Sequence, residues 1–356
     1  MEQKSLNKNL HSAKKQKNDE FYTQFVDIDN ELWHYKEYFA GKVIYCNCDD
    51  PYESNFFKFF ALNFELWGLK KLIATCYKGS PIANKQLILF DDESDENKTT
   101  RSPHKIEITE IPDINQDGAV NLTDVKLLLS SDKNHLTRLN SDGDFRSQEC
   151  INLLKEADIV VTNPPFSLFR EYVSQLIEYD KKFLIIGDQN AITYKEIFKF
   201  IKENKLWLGF DNGGTKWFQV PEDYEIQTES RIKIENGIKY FSKGSIMWYT
   251  NLDHKKRHQN LILFRKYNEI NYPKYDNYDA IEVSKIVDIP VDYDGAMGVP
   301  ITFIDKYNPE QFEILSSNDI RKSDKVPFKE HGLIKDKDGT INGQATYARI
   351  VIKKRK

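Results

Sequence analysis

Residues Asn163-Pro164-Pro165-Phe166 combine a side-chain amide, two ring-locked backbone units and an aromatic ring. Consecutive prolines fix φ and remove two backbone donors, so the tetrapeptide cannot join a strand ladder. Its carbonyls are therefore rigidly aimed, which suits one chemical problem. The exocyclic amine of a nucleobase is a poor nucleophile because its lone pair is delocalised into the ring. The Asn163 side-chain carbonyl and the Pro164 backbone carbonyl can each accept one of its N–H groups. Such bonds favour charge build-up on nitrogen as it attacks an electrophilic methyl group, a preorganised electrostatic effect. Phe166 can stack on a base extruded from a duplex.

Three other stretches carry chemical potential. Asp113-Ile114-Asn115-Gln116-Asp117-Gly118 through Asp124 has the pattern of an EF-hand-like loop. Oxygen ligands fall at positions one, three, five and twelve (Asp113, Asn115, Asp117, Asp124), with glycine at six. Asp replaces the longer Glu usual at position twelve. The loop reads either as a structural Ca²⁺ site or as an acidic turn capping the helix that starts near Val125. His254-Lys255-Lys256-Arg257-His258 is a basic loop in which Lys255, Lys256 and Arg257 suit phosphate contacts. Gly213-Gly214-Thr215-Lys216 lacks the spacing of a phosphate-binding loop. Cys46, Cys48, Cys76 and Cys150 show no paired spacing and read as reduced thiols of a cytoplasmic protein.

The elements that must position these residues are legible as apolar runs. Val43–Cys46 reads as a buried strand, and Asp49-Asp50-Pro51 as the start of a helix from Tyr52 to Trp67. A second strand follows at Leu72–Cys76. Strand, helix, strand implies a parallel pair. An amphipathic helix is expected over Ile28–Phe39. Leu87–Phe90 and Ile106–Ile108 read as strands within an insertion of about residues 79–140. The parallel pattern resumes with Asp158–Thr162, the Asn-Pro-Pro-Phe turn, a helix over Leu168–Tyr179, strand Phe183–Gly187 and a helix over Tyr194–Glu203. Strands Ile246–Tyr249 and Leu261–Phe264 are expected later. The fold class is α/β: an open, mostly parallel, doubly wound sheet, followed by an α+β or β-rich C-terminal region. No apolar run approaches a membrane span.

The formal net charge of −4 conceals a segregation. Met1–Lys17 carries +4 and Arg349–Lys356 carries +5, on a body of −13. Basic ends on an acidic body fit local contact with a polyanion.

Four stretches in order are similar to the EcoRI-type family of adenine-specific, S-adenosylmethionine-dependent DNA methyltransferases. They are Lys17–Thr23, Cys48–Pro51 with Ser54-Asn55-Phe56, Asp142–Ser147, and Asn163–Phe166. The resemblance implies a Rossmann-like methyltransferase domain over 18–205, a basic tail over 1–17, and a target-recognition region over 206–356 that also completes the sheet. It implies that Tyr22 and Thr23 approach the methionine part of the cofactor. Asp49, Asp50, Pro51 and Asn55 would lie near its amino acid and ribose, and Asp144 and Phe145 would address its adenine. Asn163 would sit between cofactor and target, with Pro164, Pro165 and Phe166 completing the catalytic turn. The family's Gly-rich turn is replaced here by Cys46–Pro51. The implied partners are double-stranded DNA and a cognate restriction endonuclease, with a monomeric enzyme and no membrane. Methylation of RNA adenine or of a protein glutamine amide remains open, as does a calcium-dependent, dockerin-like binding module.

Overall fold

A computed structural model describes residues 22–48, 54–76, 103–117, 120–130, 137–220, 231–242, 244–316, 320, 322 and 333–355. Expectations for Asp49, Asp50, Pro51, Leu87–Phe90 and the basic residues 1–17 lie outside the described residues. Two compact units emerge. The first runs to Gln189 and adds Asp211–Leu252; the second comprises Asn190–Phe210 and Asp253–Lys356.

In the first unit, seven strands lie side by side in the order β5-β4-β3-β2-β6-β7-β12. These are β2 (Val43–Cys46), β3 (Lys71–Thr75), β4 (His104–Ile108), β5 (Thr137–Arg138), β6 (Ile159–Thr162), β7 (Lys182–Asp188) and β12 (Ile246–Thr250). β3, β2, β6 and β7 are parallel; β4, β5 and β12 join antiparallel. The sheet is therefore mixed with a parallel centre. Its strands are apolar along their length because both faces are covered. Ile44 and Cys46 of β2 face the cluster of Phe56, Phe59 and Phe60, which lie on the helix Asn55–Leu62. Tyr45 points to the opposite face, toward Cys150 of the helix Gln148–Glu156.

Helices are shorter than periodicity predicts. The segment expected as Ile28–Phe39 is broken into α1 (Phe25–Leu32), a 3₁₀ turn Trp33–Tyr35 and α2 (Lys36–Phe39). The helix expected from Tyr52 begins at Asn55 as α3 (Asn55–Leu62). Ser54 is its N-cap: its Oγ accepts the N–H groups of Phe56 and Phe57 at 3.1 and 3.2 Å. The hydroxyl thus satisfies two of the orphan donors. α4 (Leu122–Ser130), α5 (Gln148–Glu156) and α6 (Phe169–Glu178) follow. A smaller sheet in the order β1-β9-β11-β10 joins β1 (Tyr22–Thr23), β9 (Phe218–Gln219), β10 (Ile232–Glu235) and β11 (Ile238–Phe241).

The second unit holds β8 (Trp207–Leu208), α7 (Lys195–Lys202) and a five-stranded sheet of β13 (Ile281–Glu282), β14 (Met297–Pro300), β15 (Phe312–Ile314), β16 (Leu333–Ile334) and β19 (Arg349–Lys354). A small ribbon, β17 (Thr340–Ile341) and β18 (Gln344–Ala345), precedes β19. One expectation is corrected here. Leu261–Phe264 is not a strand: Gln311 takes the place of a neighbour, its side chain accepting Leu261 N–H at 2.7 Å and donating to Leu261 O at 2.8 Å. Ile262 is left 88 % exposed. The basic C-terminal segment is built into a sheet. It is β19, paired with β14, β15 and β16, with Ile350, Val351 and Ile352 fully buried. Arg349 donates to buried Glu282 through Nε at 2.8 Å and Nη2 at 2.6 Å. No helix among the described residues is long and apolar enough to cross a membrane.

Candidate active site

After β2 the chain moves to β3 on one side; later it places β6 on the other. The carboxyl ends of β2 and β6 therefore flank a topological switch point, where open α/β sheets take ligands. Asn47 and Cys48 leave β2 there, and Asn163–Phe166 leave β6 there. The Thr162 hydroxyl donates to the Asn47 carbonyl and ties the two exits together. Both Thr162 and Asn47 are buried. Thr162 carries no motif signature; only its place as the last residue of a strand before the turn points to it.

The Asn-Pro-Pro-Phe turn is well held. Pro164 is buried, and Asn163 and Pro165 are half-buried. Pro165 has φ −56° and ψ 121° and its carbonyl accepts Leu168 N–H at 3.0 Å, opening the 3₁₀ turn Phe166–Leu168. This turn leads directly into α6. Phe166 is 9 % exposed and packs in the same cluster as Phe56 and Trp248. Its ring is a wall of the turn more than an open platform. Below it, Gly187 of β7 admits Phe169, the first residue of α6. A Cβ there would meet Phe169 Cε2 at 2.5 Å and Tyr249 Cε2 at 3.0 Å.

In place of the expected Gly-rich turn, Cys48 adopts φ +63°. This is the left-handed region that glycine ordinarily fills. A non-glycine residue thus takes a conformation that glycine ordinarily supplies. All four cysteines are free thiols.

Thr23 and Asn55 come together. The Asn55 side-chain amide donates to the Thr23 carbonyl at 2.7 Å, joining β1 to the first residue of α3. Thr23 is 3 % exposed, and its hydroxyl has no hydrogen-bond partner among the described residues. A buried hydroxyl left so is costly unless a ligand completes it. The amino-acid portion of S-adenosylmethionine, with its carboxylate and ammonium, offers both acceptors and donors for it, so the cradle fits this cofactor. The first-turn amides of Phe56 and Phe57 are taken by Ser54. For Tyr22 the structure shows the backbone, which pairs with Gln219.

Sequence reasoning passed over Lys216. Its side chain is buried, 3.7 Å from both Asp27 of α1 and Asp211. Burial raises the Asp27 carboxyl against the lowering effect of Lys216. This pair pins α1 beside the segment that becomes β9, the strand on which β1 rests.

Asp144 and Phe145 dock on α6, the helix launched by the Asn-Pro-Pro-Phe turn. The Phe145 ring lies 5.0 Å from Tyr172, edge-on at 74°, and Gln175 Nε2 donates to the Phe145 carbonyl at 3.3 Å. Arg146 forks onto Asp144, Nε to Oδ1 at 2.8 Å and Nη2 to Oδ2 at 2.7 Å, and its Nη1 reaches Glu171 of α6 at 3.0 Å. Burial would raise the Asp144 carboxyl, but the hydrogen bonds and charge of Arg146 outweigh it and hold the group below its ordinary value. Asp144 is a fixed carboxylate.

The acidic loop organises itself. Asp113, Asp117 and Asp124 bring carboxylate oxygens within 4.8 Å of one another, the only such cluster among the described residues. Asp124 accepts the N–H groups of Ile114, Asn115 and Asn121 at 2.8, 3.1 and 2.9 Å. Asn121 Oδ1 accepts Thr123 N–H at 2.7 Å. Asn121 and Asp124 thus cap α4 reciprocally, which explains a short Asp at the loop's last position. Asn115 donates its amide to Asp117 at 3.0 Å.

Lys255–His258 forms a 3₁₀ turn in the second unit. Lys256 Nζ donates to Phe210 O at 2.8 Å and pairs with Asp305 at 2.6 Å. Arg257 lies over the Trp207 ring at 3.9 Å and donates to Asn204. Of the three cations expected at phosphates, Lys256 and Arg257 make these contacts inside the unit, while Lys255 is exposed.

The chain matches the family described as adenine-specific methyltransferase EcoRI over residues 9–355. It is 51 % identical over 360 residues to the type II methyltransferase M.EcoRI of Escherichia coli, covering 100 % of this chain and 99 % of that one. It is 39 % identical over 354 residues to M.MgeORF184P of Mycoplasma genitalium (97 % and 98 % covered) and 37 % identical over 357 residues to M.MpnI of Mycoplasma pneumoniae (97 % and 98 % covered). No solved structure matches.

Proposed function

We propose, from the premise that this chain belongs to the EcoRI family of adenine-specific methyltransferases, how its switch-point residues carry out methylation of adenine N6 in DNA. It is a site-specific type II DNA methyltransferase of the restriction–modification kind. S-adenosylmethionine, used by methyltransferases generally, supplies an electrophilic methyl group on a sulfonium. Thr23 and Asn55 hold its amino-acid portion, Asp49, Asp50 and Pro51 border it, and Asp144 and Phe145 take its adenine.

The Asn163 side-chain carbonyl and the Pro164 carbonyl accept the two N–H groups of the target amine and turn its lone pair outward. The amine attacks directly, with no covalent enzyme intermediate. Reaching it requires the base to leave the duplex, and Phe166 forms the wall against which the base lies. The observation that carries this reading is the placement of Asn163–Phe166 at the switch point, joined to the β2 exit through Thr162 and Asn47. The enzyme acts as a monomer, since a palindromic site can be methylated one strand at a time, and its partner endonuclease cuts the same unmethylated site.

The test is transfer of label from tritiated cofactor to genomic DNA, followed by nucleoside analysis. Asn163→Ala is expected to abolish N6-methyladenine while leaving cofactor binding intact. Unchanged methylation in that variant would overturn the roles assigned here, and label in RNA or protein in place of DNA would overturn the substrate.

A further inference from the structure

We propose that Lys216 is a positioning residue for cofactor binding: its buried ion pair with Asp27 locks the register of β1 on β9 and so aims the Thr23 hydroxyl. The inference rests on the cofactor cradle assigned above to Thr23 and Asn55. β1 and β9 share two residue pairs, Tyr22 with Gln219 and Thr23 with Phe218. So short a ladder holds its register weakly, and a slip of one residue turns each side chain to the opposite face. Such a slip would carry the Thr23 hydroxyl away from the cradle. The Asn55 amide grips the Thr23 carbonyl from α3. Lys216 supplies the grip from the side of β9.

Lys216 stands two residues before Phe218, and Asp27 four residues after Thr23. Their charges lie 3.7 Å apart. The two strands are thereby closed into a ring. It runs from Thr23 to Asp27 along the chain, across the ion pair to Lys216, along the chain to Phe218, and back to Thr23 through the ladder. The Lys216 side chain is 3 % exposed and that of Asp27 20 %, so salt and water screen the pair little. A buried ion pair is a weak stabiliser beside apolar packing of the same volume. What this one adds is a fixed distance between two short strands. The face of α1 that carries Asp27 carries Glu31 one turn later. Glu31 is fully buried and accepts the Asp211 N–H through Oε2 at 2.5 Å and the Tyr35 hydroxyl through Oε1 at 2.9 Å. Gly214, at φ +73°, bends the chain between Asp211 and Lys216, so both ends of this segment meet one helix. The glycine pair that lacks phosphate-loop spacing thus belongs to a brace on α1. The Asp211 carboxylate also lies 3.7 Å from Lys216, but on the same segment, so it balances charge without linking the strands.

The experiment measures S-adenosylmethionine affinity of the full chain by calorimetry, together with methylation kinetics on plasmid DNA and thermal melting. Lys216→Met and Asp27→Asn are each expected to weaken cofactor binding and raise the cofactor KM about tenfold. The double variant should be no worse than either alone, because one contact is lost. kcat at saturating cofactor and KM for DNA should stay within about twofold of wild type, as should cofactor affinity in Asp211→Asn. A merely structural charge cluster would lower the melting temperature and kcat together, and would not separate Asp27 from Asp211, which are equally far from Lys216. Should Lys216→Met fail to fold, Asp27→Asn, which keeps a polar side chain in place, carries the test. Cofactor affinity in Asp27→Asn within about twofold of wild type, or equal losses in Asp27→Asn and Asp211→Asn, would overturn the proposal while leaving the methyltransferase reading intact. Unchanged affinity in Thr23→Ala would overturn the cradle itself and the proposal with it.

Discussion

Replacing Arg146 by Gln isolates the device that fixes Asp144. Arg146 gives Asp144 two side-chain hydrogen bonds, at 2.8 and 2.7 Å, and gives Glu171 one at 3.0 Å. Its side chain is 47 % exposed, that of Asp144 22 % and that of Glu171 61 %. The Glu171 contact is therefore solvent-screened and contributes little. A charge-assisted fork in a buried site is worth about 1.5–3 kcal/mol per bond. Half-exposure of the guanidinium reduces the pair to about 1 kcal/mol of stability. The larger effect is on charge. With Arg146 present the carboxyl sits below its ordinary value, so its stabilising ionised form is complete above the unfolded value of about 3.9 and lost only as pH falls through the lower folded value. In Arg146→Gln the side-chain bonds and the charge are lost while the backbone N–H of residue 146 still donates to Asp144 Oδ1 at 2.8 Å, so the carboxyl moves upward from its lowered value and protonates at higher pH than in wild type. Calorimetric titration of S-adenosylmethionine should then show about tenfold weaker binding, ~1.4 kcal/mol. It should also show a further loss as pH is lowered, setting in at a higher pH than in wild type. Equal affinity and equal pH profiles in the two proteins would refute the assignment of Asp144 as a cofactor contact held by Arg146.

Gly187→Ala should destabilise by about 1–3 kcal/mol in chemical denaturation, because its Cβ would lie 2.5 Å from the Phe169 ring. The same variant should slow methyl transfer, since Phe169 opens the helix that follows the catalytic turn. Ser54→Ala should cost about 1 kcal/mol in thermal melting by leaving the Phe56 and Phe57 amides uncapped. Cys48→Gly should be tolerated or mildly stabilising, whereas Cys48→Val should cost at least about 1–2 kcal/mol, because a β-branched residue resists φ +63°. Equal unfolding midpoints for the Cys48 pair would refute that account of the turn.

The parallel centre of the sheet was readable because its strands are buried on both faces. Val43–Cys46, Ile159–Val161 and Phe183–Ile186 are continuous apolar runs for that reason. Asn163–Phe166 was readable because a double proline after such a run admits few conformations. Helix starts were read less well. The helix expected from Tyr52 starts at Asn55, where the Ser54 hydroxyl takes the Phe56 and Phe57 amides. Leu261–Phe264 has strand composition, but a strand needs a neighbour, and Gln311 supplies a side chain in its place.

Charge shows the same division. Linear sequence placed five cations at the C-terminus and made them look like a polyanion contact. Tertiary structure turns most of that segment into β19 and commits Arg349 to Glu282. It likewise ties Lys256 to Asp305 and stacks Arg257 on Trp207. A charge count records what a residue carries and not its partner: Arg349 has Glu282, while Lys353 stays exposed.

The chemistry of the catalytic turn was therefore determined locally, by residue types and their order, since the carbonyls of Asn163 and Pro164 are covalently adjacent. The setting of that turn was decided only by folding. Thr162 meets the Asn47 carbonyl 115 residues away. Arg146 spans from Asp144 to Glu171, and Thr23 is brought to Asn55. Each of these contacts joins segments whose spacing in sequence carries no signal. The first exists because the sheet order places β2 beside β6, and that order is a property of the whole core.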